Sequence, residues 1–193
     1  MTEFEISVEN IVALATLGKN ISIEDLTKNI EDVEYDPERF PGVVYRIKNP
    51  RATALIFSSG KMVCTGAKSI KLAKEAVHKV VDRLRETGID LPTEFDIKVE
   101  NIVASTQIYV KKKLDLEQLA HELENSEYEP ESFPGLVYRI KDPRVAFLLF
   151  GSGKIICTGA RIIADIHTAL GKLKARLEEL GIQVKPIKSK KNQ

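Results

Sequence analysis

Ser59-Gly60-Lys61-Met62-Val63-Cys64-Thr65-Gly66-Ala67 returns later in the chain as Ser152-Gly153-Lys154-Ile155-Ile156-Cys157-Thr158-Gly159-Ala160. Upstream, Phe40-Pro41-Gly42-Val43-Val44-Tyr45-Arg46-Ile47-Lys48 returns as Phe133-Pro134-Gly135-Leu136-Val137-Tyr138-Arg139-Ile140-Lys141, and Val8-Glu9-Asn10-Ile11-Val12-Ala13 as Val99-Glu100-Asn101-Ile102-Val103-Ala104. Roughly half the positions from Ile23 to Asp90 are identical to those from Leu116 to Gln183. One unit is therefore written twice, as residues 1–92 and 93–184, with a flexible basic tail expected over 185–193. Two copies are too few for a solenoid, which needs at least about three. A fused pseudo-dimer with approximate two-fold symmetry is the natural reading.

Each copy opens with a Val- and Ile-rich run (Phe4 to Leu14; Phe95 to Val110) that reads as a strand. A short helix follows, announced by Ser22 three residues before Asp25 and by Asp115 three before Gln118, as in a capping box. Three short strands come next, near Val43–Lys48, Ala52–Phe57 and Lys61–Thr65, matched by Leu136–Lys141, Val145–Phe150 and Lys154–Thr158. A long amphipathic helix closes each copy. Its stripe is Leu72, Ala73, Ala76, Val77, Val80, Val81 and Leu84 before Gly88, then Ile166, Ala169, Leu170, Leu173 and Leu177 before Gly181. The expected unit is α+β, a curved antiparallel sheet backed by helices.

Composition narrows the function classes. The 193 residues carry a net charge of only +1, so bulk charge does not announce a nucleic-acid partner. No run of about eighteen apolar residues predicts a membrane span, and Met1-Thr2-Glu3-Phe4-Glu5 does not read as a secretory leader. The expected compartment is intracellular. Cys64 and Cys157 sit at equivalent places and read as small buried hydrophobes, with a disulfide left open because it requires a Cα approach that sequence does not give. No metal or cofactor site is expected. His78, His121 and His167 are unmatched between copies, and Gly151-Ser152-Gly153-Lys154 lacks the spacing of a phosphate loop, so no enzyme is expected.

Strand alternation leaves a surplus. Ala54, Ile56, Met62, Cys64, Ile11 and Ala13 point to one face, and Thr53, Leu55, Phe57, Lys61, Val63, Thr65, Val8, Asn10 and Val12 to the other. Two long helices cover one face only. Val12, Leu55, Phe57 and Val63, with Val103, Leu148, Phe150 and Ile156, then form an apolar patch of the kind that marks an interaction surface. Face-to-face packing of the copies, a homodimer, or a different ligand would each cover it.

Glu-Tyr-x-Pro-Glu-x-Phe-Pro-Gly, from Glu34 and from Glu127, followed by Tyr-Arg-Ile-Lys and then by Ser-Gly-Lys-x-x-Cys-Thr-Gly-Ala, resembles the TATA-box-binding protein family in its archaeal form. The resemblance runs from about Glu5 to Gly181. It implies a pseudo-two-fold saddle, with a curved ten-stranded antiparallel sheet and four helices on the convex face. It also implies a general transcription factor, cytoplasmic and nucleoid-associated, that binds the minor groove of A·T-rich promoter DNA. Its implied partners are double-stranded TATA-box DNA, transcription factor B and, through that factor, RNA polymerase. A weak homodimer off DNA remains an open alternative.

Site residues follow from the same resemblance. Phe40 with Phe57, and Phe133 with Phe150, match the intercalating pairs. Asn10, Thr65, Asn101 and Thr158 match the polar groups that meet base acceptors, and Val12, Leu55, Val63, Val103, Leu148 and Ile156 the groove-floor contacts. Arg46, Lys61, Lys68, Arg139, Lys154 and Arg161 match phosphate contacts. The acidic loops (Glu34, Asp36, Glu38; Glu127, Glu129, Glu131) would repel DNA, and the resemblance assigns Glu129 and Glu131 to transcription factor B. Ser132 departs from the larger apolar residue common there. A protein-interaction module reusing the same fold is the competing reading, one with no reason to keep the Phe, Asn and Thr positions in both halves.

Overall fold

A turn at Asn49-Pro50, with its peptide bond cis, joins strand β3 (Val43–Lys48) to β4 (Arg51–Ile56), and around this hairpin the first half of the fold is built. The structure is a computed structural model and describes residues 3–188. It divides into two compact units, Glu9–Asn101 and a second comprising residues 3–8 and 102–188. The residues ahead of Glu9 pack with the later copy. There Thr106 Oγ1 donates to the Glu5 carbonyl at 2.6 Å, and Lys174 ion-pairs with Glu3.

In the first unit, β4 pairs antiparallel with β5 (Lys61–Ala67), β5 with β1 (Ser7–Thr16), and β3 with the two-residue β2 (Val33–Glu34). In the second, β8 (Leu136–Lys141), β9 (Arg144–Leu149) and β10 (Lys154–Ala160) repeat the pattern between β7 (Ser126–Glu127) and β6 (Asp96–Tyr109). The Asp142-Pro143 bond of its hairpin is also cis. Among the described residues, these ten antiparallel strands and four helices make the α+β class expected from the sequence. A short eleventh strand, β11 (Lys185–Pro186), pairs with Tyr109 and Ile108 of β6. The first residues of the basic tail are thus held rather than loose, and residues 189–193 lie outside the described residues.

Helices α1 (Ile23–Asn29) and α3 (Leu116–Glu122) start where the capping signals place them, with Ser22 and Asp115 accepting the amides of Asp25 and Gln118. The long helices, α2 (Ile70–Glu86) and α4 (Ile163–Glu179), lie against β4–β5 and β10 respectively. Ala73, Ala76, Val77, Val80, Val81 and Leu84 are buried as the stripe requires, but Leu72 is 38% exposed. It sits on the margin of the stripe, in the first turn of α2. The core of the first unit joins α2 to Ala15, Ala52, Ala54, Ile56, Met62 and Cys64, with Leu26 of α1 beside them.

Candidate nucleic-acid interface

Cross-strand register decides which side chains share the uncovered face. Facing pairs in an antiparallel ladder project to the same side, and Arg46↔Thr53, Val44↔Leu55, Leu55↔Val63, Thr53↔Thr65 and Leu14↔Val63 are facing pairs. Their alternates, Ala52, Ala54, Ile56, Met62 and Cys64, are buried toward α2. Val12, Leu55, Phe57 and Val63 are only half-buried, as the alternation predicted. The second unit repeats the arrangement with Arg139↔Ala146, Val137↔Leu148, Leu148↔Ile156 and Thr158↔Ala146, and Val103, Leu148, Phe150 and Ile156 are again half-buried.

At one edge of each face stands a pair of aromatic rings. The Phe40 and Phe57 rings meet edge to face with centroids 5.6 Å apart and planes at 65°, and Phe133 and Phe150 do the same at 5.8 Å and 70°. The loop ahead of each first ring is pinned by one carbonyl. Asp36 O accepts from the amides of Arg39 and Phe40, and Glu129 O from those of Ser132 and Phe133. Two residues that the sequence reading passed over seat the rings. A Cβ on Gly42 would lie 2.7 Å from Phe40 Cε1 and 3.0 Å from Phe57 Cε1, and one on Gly135 would lie 2.8 Å and 3.1 Å from the equivalent atoms. Phe133 is 38% exposed, an unusual state for a ring that could otherwise join a core.

Asn10 is oriented by the backbone. Its Oδ1 accepts the Gly66 amide at 2.6 Å, and its Nδ2 donates to Thr65 Oγ1 at 3.0 Å. The register between β1 and β5 shifts between Ile11 and Ala13, and this irregularity lets the side chain reach across the ladder. An amide fixed in this way retains one N–H to present to an acceptor. Asn101 and Thr158, at the equivalent places, are half-buried and have interactions of their own.

All six expected phosphate-contact cations are exposed. Arg46, however, is ion-paired with Glu34 Oε1 at 2.5 Å. Glu34 and Glu127 are residues of β2 and β7 rather than of the acidic loops to which sequence assigned them. Register also reveals cations that sequence reading missed: Lys48 faces Arg51 and Lys141 faces Arg144 beside the hairpin turns. Like charges directly opposite one another cost stability, and each pair could hold an anion. Glu129, Pro130, Glu131 and Ser132 line a shallow concavity.

The thiols Cys64 and Cys157 are buried and free. Burial pushes the first up to about 11 and the second up to about 12. Among the described residues, no cluster of three or more His, Cys, Asp or Glu side chains could bind a metal, and no helix is long and apolar enough to cross a membrane.

The model of the family described as transcription factor TFIID, or TATA-binding protein, matches residues 5–87 and 96–180. The TATA-box-binding protein of Methanothermobacter thermautotrophicus is 53% identical over 182 residues, covering 94% of this chain and 99% of that protein. That of Archaeoglobus fulgidus is 46% identical over 182 residues, covering 94% and 100%. The solved structure of Methanococcus jannaschii TBP superimposes with a TM-score of 0.82 at 42% identity, covering 91% of this chain and 99% of that one. The family is one of transcription factors, not enzymes, and this chain belongs to it: it is a member of the TATA-box-binding protein family.

Proposed function

We propose that this chain binds the minor groove of A·T-rich promoter DNA, bends it by inserting its paired phenylalanines, and presents the bent duplex to transcription factor B and thereby to RNA polymerase. The observation that carries the reading is the in-register face. One aromatic pair, a row of half-buried aliphatic groups and flanking exposed cations stand on one side of the sheet in each unit, and in the first an amide donor is fixed beside them. Proteins of this family insert apolar wedges between base steps and kink the duplex, a behaviour taken over from the family. Phe57 and Phe150 supply flat edges for such a wedge, with Phe40 and Phe133 beside them. Unstacking is repaid by the wider contact that a bent duplex allows.

Base preference follows from the chemistry of the face. Both A·T and T·A offer only the N3 and O2 acceptors in the minor groove, so the Nδ2 donors of Asn10 and Asn101 serve either orientation. Guanine adds an amine donor there. Against Val12, Leu55, Val63, Val103, Leu148 and Ile156 that donor would go unsatisfied. Arg46, Lys61, Lys68, Arg139, Lys154 and Arg161 hold the backbone without reading sequence. Glu129 and Glu131, on their exposed concavity, are the contact for transcription factor B.

The test is a gel shift on A·T-rich and G·C-substituted duplexes, with end-to-end distance read by fluorescence energy transfer. Phe57→Ala with Phe150→Ala should weaken binding and relax the bend. Unchanged affinity and distance would refute the wedge. Glu129→Arg with Glu131→Arg should spare binary DNA binding and prevent the ternary shift with transcription factor B.

A further inference from the structure

The link between the opening strand and the short helix differs between the two units. In the first, Leu17 N donates to Gly60 O and Ile21 N to Ser58 O, each at 2.9 Å, with Gly18-Lys19-Asn20 between them. In the second, Ile108 N donates to Gly153 O at 3.0 Å and Leu114 N to Gly151 O at 2.9 Å. Tyr109-Val110-Lys111-Lys112-Lys113 lies between these, five residues rather than three, with three lysines rather than one. Lys19 is ion-paired with Asp90. Lys111, Lys112 and Lys113 are exposed and make no ion pair among the described residues.

The C-terminal strand brings a further cation to the same place. Lys185 of β11 faces Tyr109 and Pro186 faces Ile108, and Ile187 N donates to Gln107 O at 2.8 Å. Ile108 and Val184 are buried, so Tyr109, Lys185 and Ile187, all exposed, project from the open face. Lys154 faces Gln107 from the other edge of β6. Tyr109 and Lys185 thus stand one row beyond Lys154 on that face, about 7 Å along the strand.

We propose that Lys111, Lys112, Lys113 and Lys185 form a phosphate-binding margin that prolongs the Lys154 contact along the duplex backbone. The inference rests on the minor-groove reading above. Lysines adjacent in a turn repel one another, and an anion between them relieves the repulsion. Lys185 shares its face with the residues that meet DNA, so the anion is the phosphate backbone of that duplex. Tyr109 adds a hydroxyl able to donate to a phosphate oxygen. The nearest acids along the chain, Asp115 and Glu117, begin α3, and Asp115 is engaged as its cap. The first unit keeps one lysine in the equivalent loop, already neutralised, so the added grip belongs to the second unit.

The experiment is a salt titration of binding to an A·T-rich duplex. Each phosphate contact contributes about 0.9 to the slope of log affinity against log salt. Lys111→Gln with Lys112→Gln and Lys113→Gln should make the slope shallower by about 1.8 or more, the worth of two contacts. Lys185→Gln should make it shallower by about 0.9. Lys111→Arg with Lys112→Arg and Lys113→Arg should keep the native slope. Lys74→Gln with Lys79→Gln and Arg83→Gln removes as much charge from exposed positions of α2, on the covered side of the sheet, and should leave the slope unchanged. An unchanged slope in either the triple Lys→Gln variant or Lys185→Gln overturns the proposal. An equal fall in the α2 variant also overturns it, by reducing the effect to net charge. Loss of the ternary shift with transcription factor B at an unchanged slope overturns it too, and assigns the lysines to an acidic protein surface. A native chain that binds A·T-rich and G·C-substituted duplexes alike would instead remove the minor-groove reading itself.

Discussion

The Gly66 amide donates to Asn10 Oδ1 at 2.6 Å, so the backbone of β5 decides which end of the Asn10 amide faces outward. Asn10→Asp separates the two roles of this side chain. A carboxylate still accepts the Gly66 amide, so the fold should lose little. The outward donor is gone, and a negative charge faces DNA in its place. Thermal unfolding should stay within a few degrees of the parent, and affinity for an A·T-rich duplex should fall by at least about tenfold, the cost of one unsatisfied polar contact. A matching loss of stability would show the residue to be structural only.

Gly42 and Gly135 are expected to control the ring pairs. A methyl group on either would intrude on a phenylalanine ring at less than 3.0 Å, and the ring, being the end of a side chain, is what must move. Gly42→Ala should leave the unfolding midpoint nearly unchanged and alter the ring-current shifts of Phe40 and Phe57 in NMR spectra. Phe133 and Phe150 lie in the other unit and should keep theirs.

Much of this face was legible because strand alternation is a local signal. Ile11 and Ala13 against Asn10 and Val12, or Met62 and Cys64 against Val63 and Thr65, fall on the sides that their order in the chain implies. What escaped depends on partners distant in sequence. Neither the Glu34–Arg46 ion pair nor the facing of Lys48 by Arg51 is visible until β2, β3 and β4 are in register. The ring-seating role of Gly42 needed the path of Phe57 as well as that of Phe40. A duplicated Phe-Pro-Gly was the available clue, since glycine in both copies marks a close approach. Leu72 was misplaced because it lies at the angular margin of the stripe set by Ala73, Ala76, Val77, Val80, Val81 and Leu84, where helical periodicity does not separate a buried residue from an exposed one.

Alkaline pH should destabilise the protein through its two thiols. Burial holds Cys64 and Cys157 protonated, at about 11 and about 12 against 9.0 for an exposed thiol. The unfolded chain therefore releases these protons first. The stabilising difference is complete below pH 9 and is lost as pH rises toward 11 and 12. The midpoint of thermal unfolding should fall over that window, and less steeply in Cys64→Ala with Cys157→Ala. Equal slopes would assign the alkaline loss to other groups. At pH 7 both thiols should resist alkylation until the chain unfolds.

The repeat is broken at the start of its long helices, and the break should be reparable. Ser69 caps α2 by accepting the Leu72 amide at 3.1 Å. The N-cap of α4 is Ile162, which makes no side-chain hydrogen bond and is 53% exposed. Its backbone is already extended, at φ −134° and ψ 148°, much as Ser69 is at −153° and 158°. A serine at 162 would find the cap geometry in place and lose little buried apolar area. Ile162→Ser should therefore raise stability by about 1 kcal/mol, the usual worth of an N-cap hydroxyl. For a chain of this size that is a rise of about 2–4 °C in the unfolding midpoint. Ser69→Ala should lower it by a similar amount. A drop in Ile162→Ser would mean that the isoleucine contributes more by its contacts than the missing cap costs, and that the second helix is held at its start by packing rather than by hydrogen bonding.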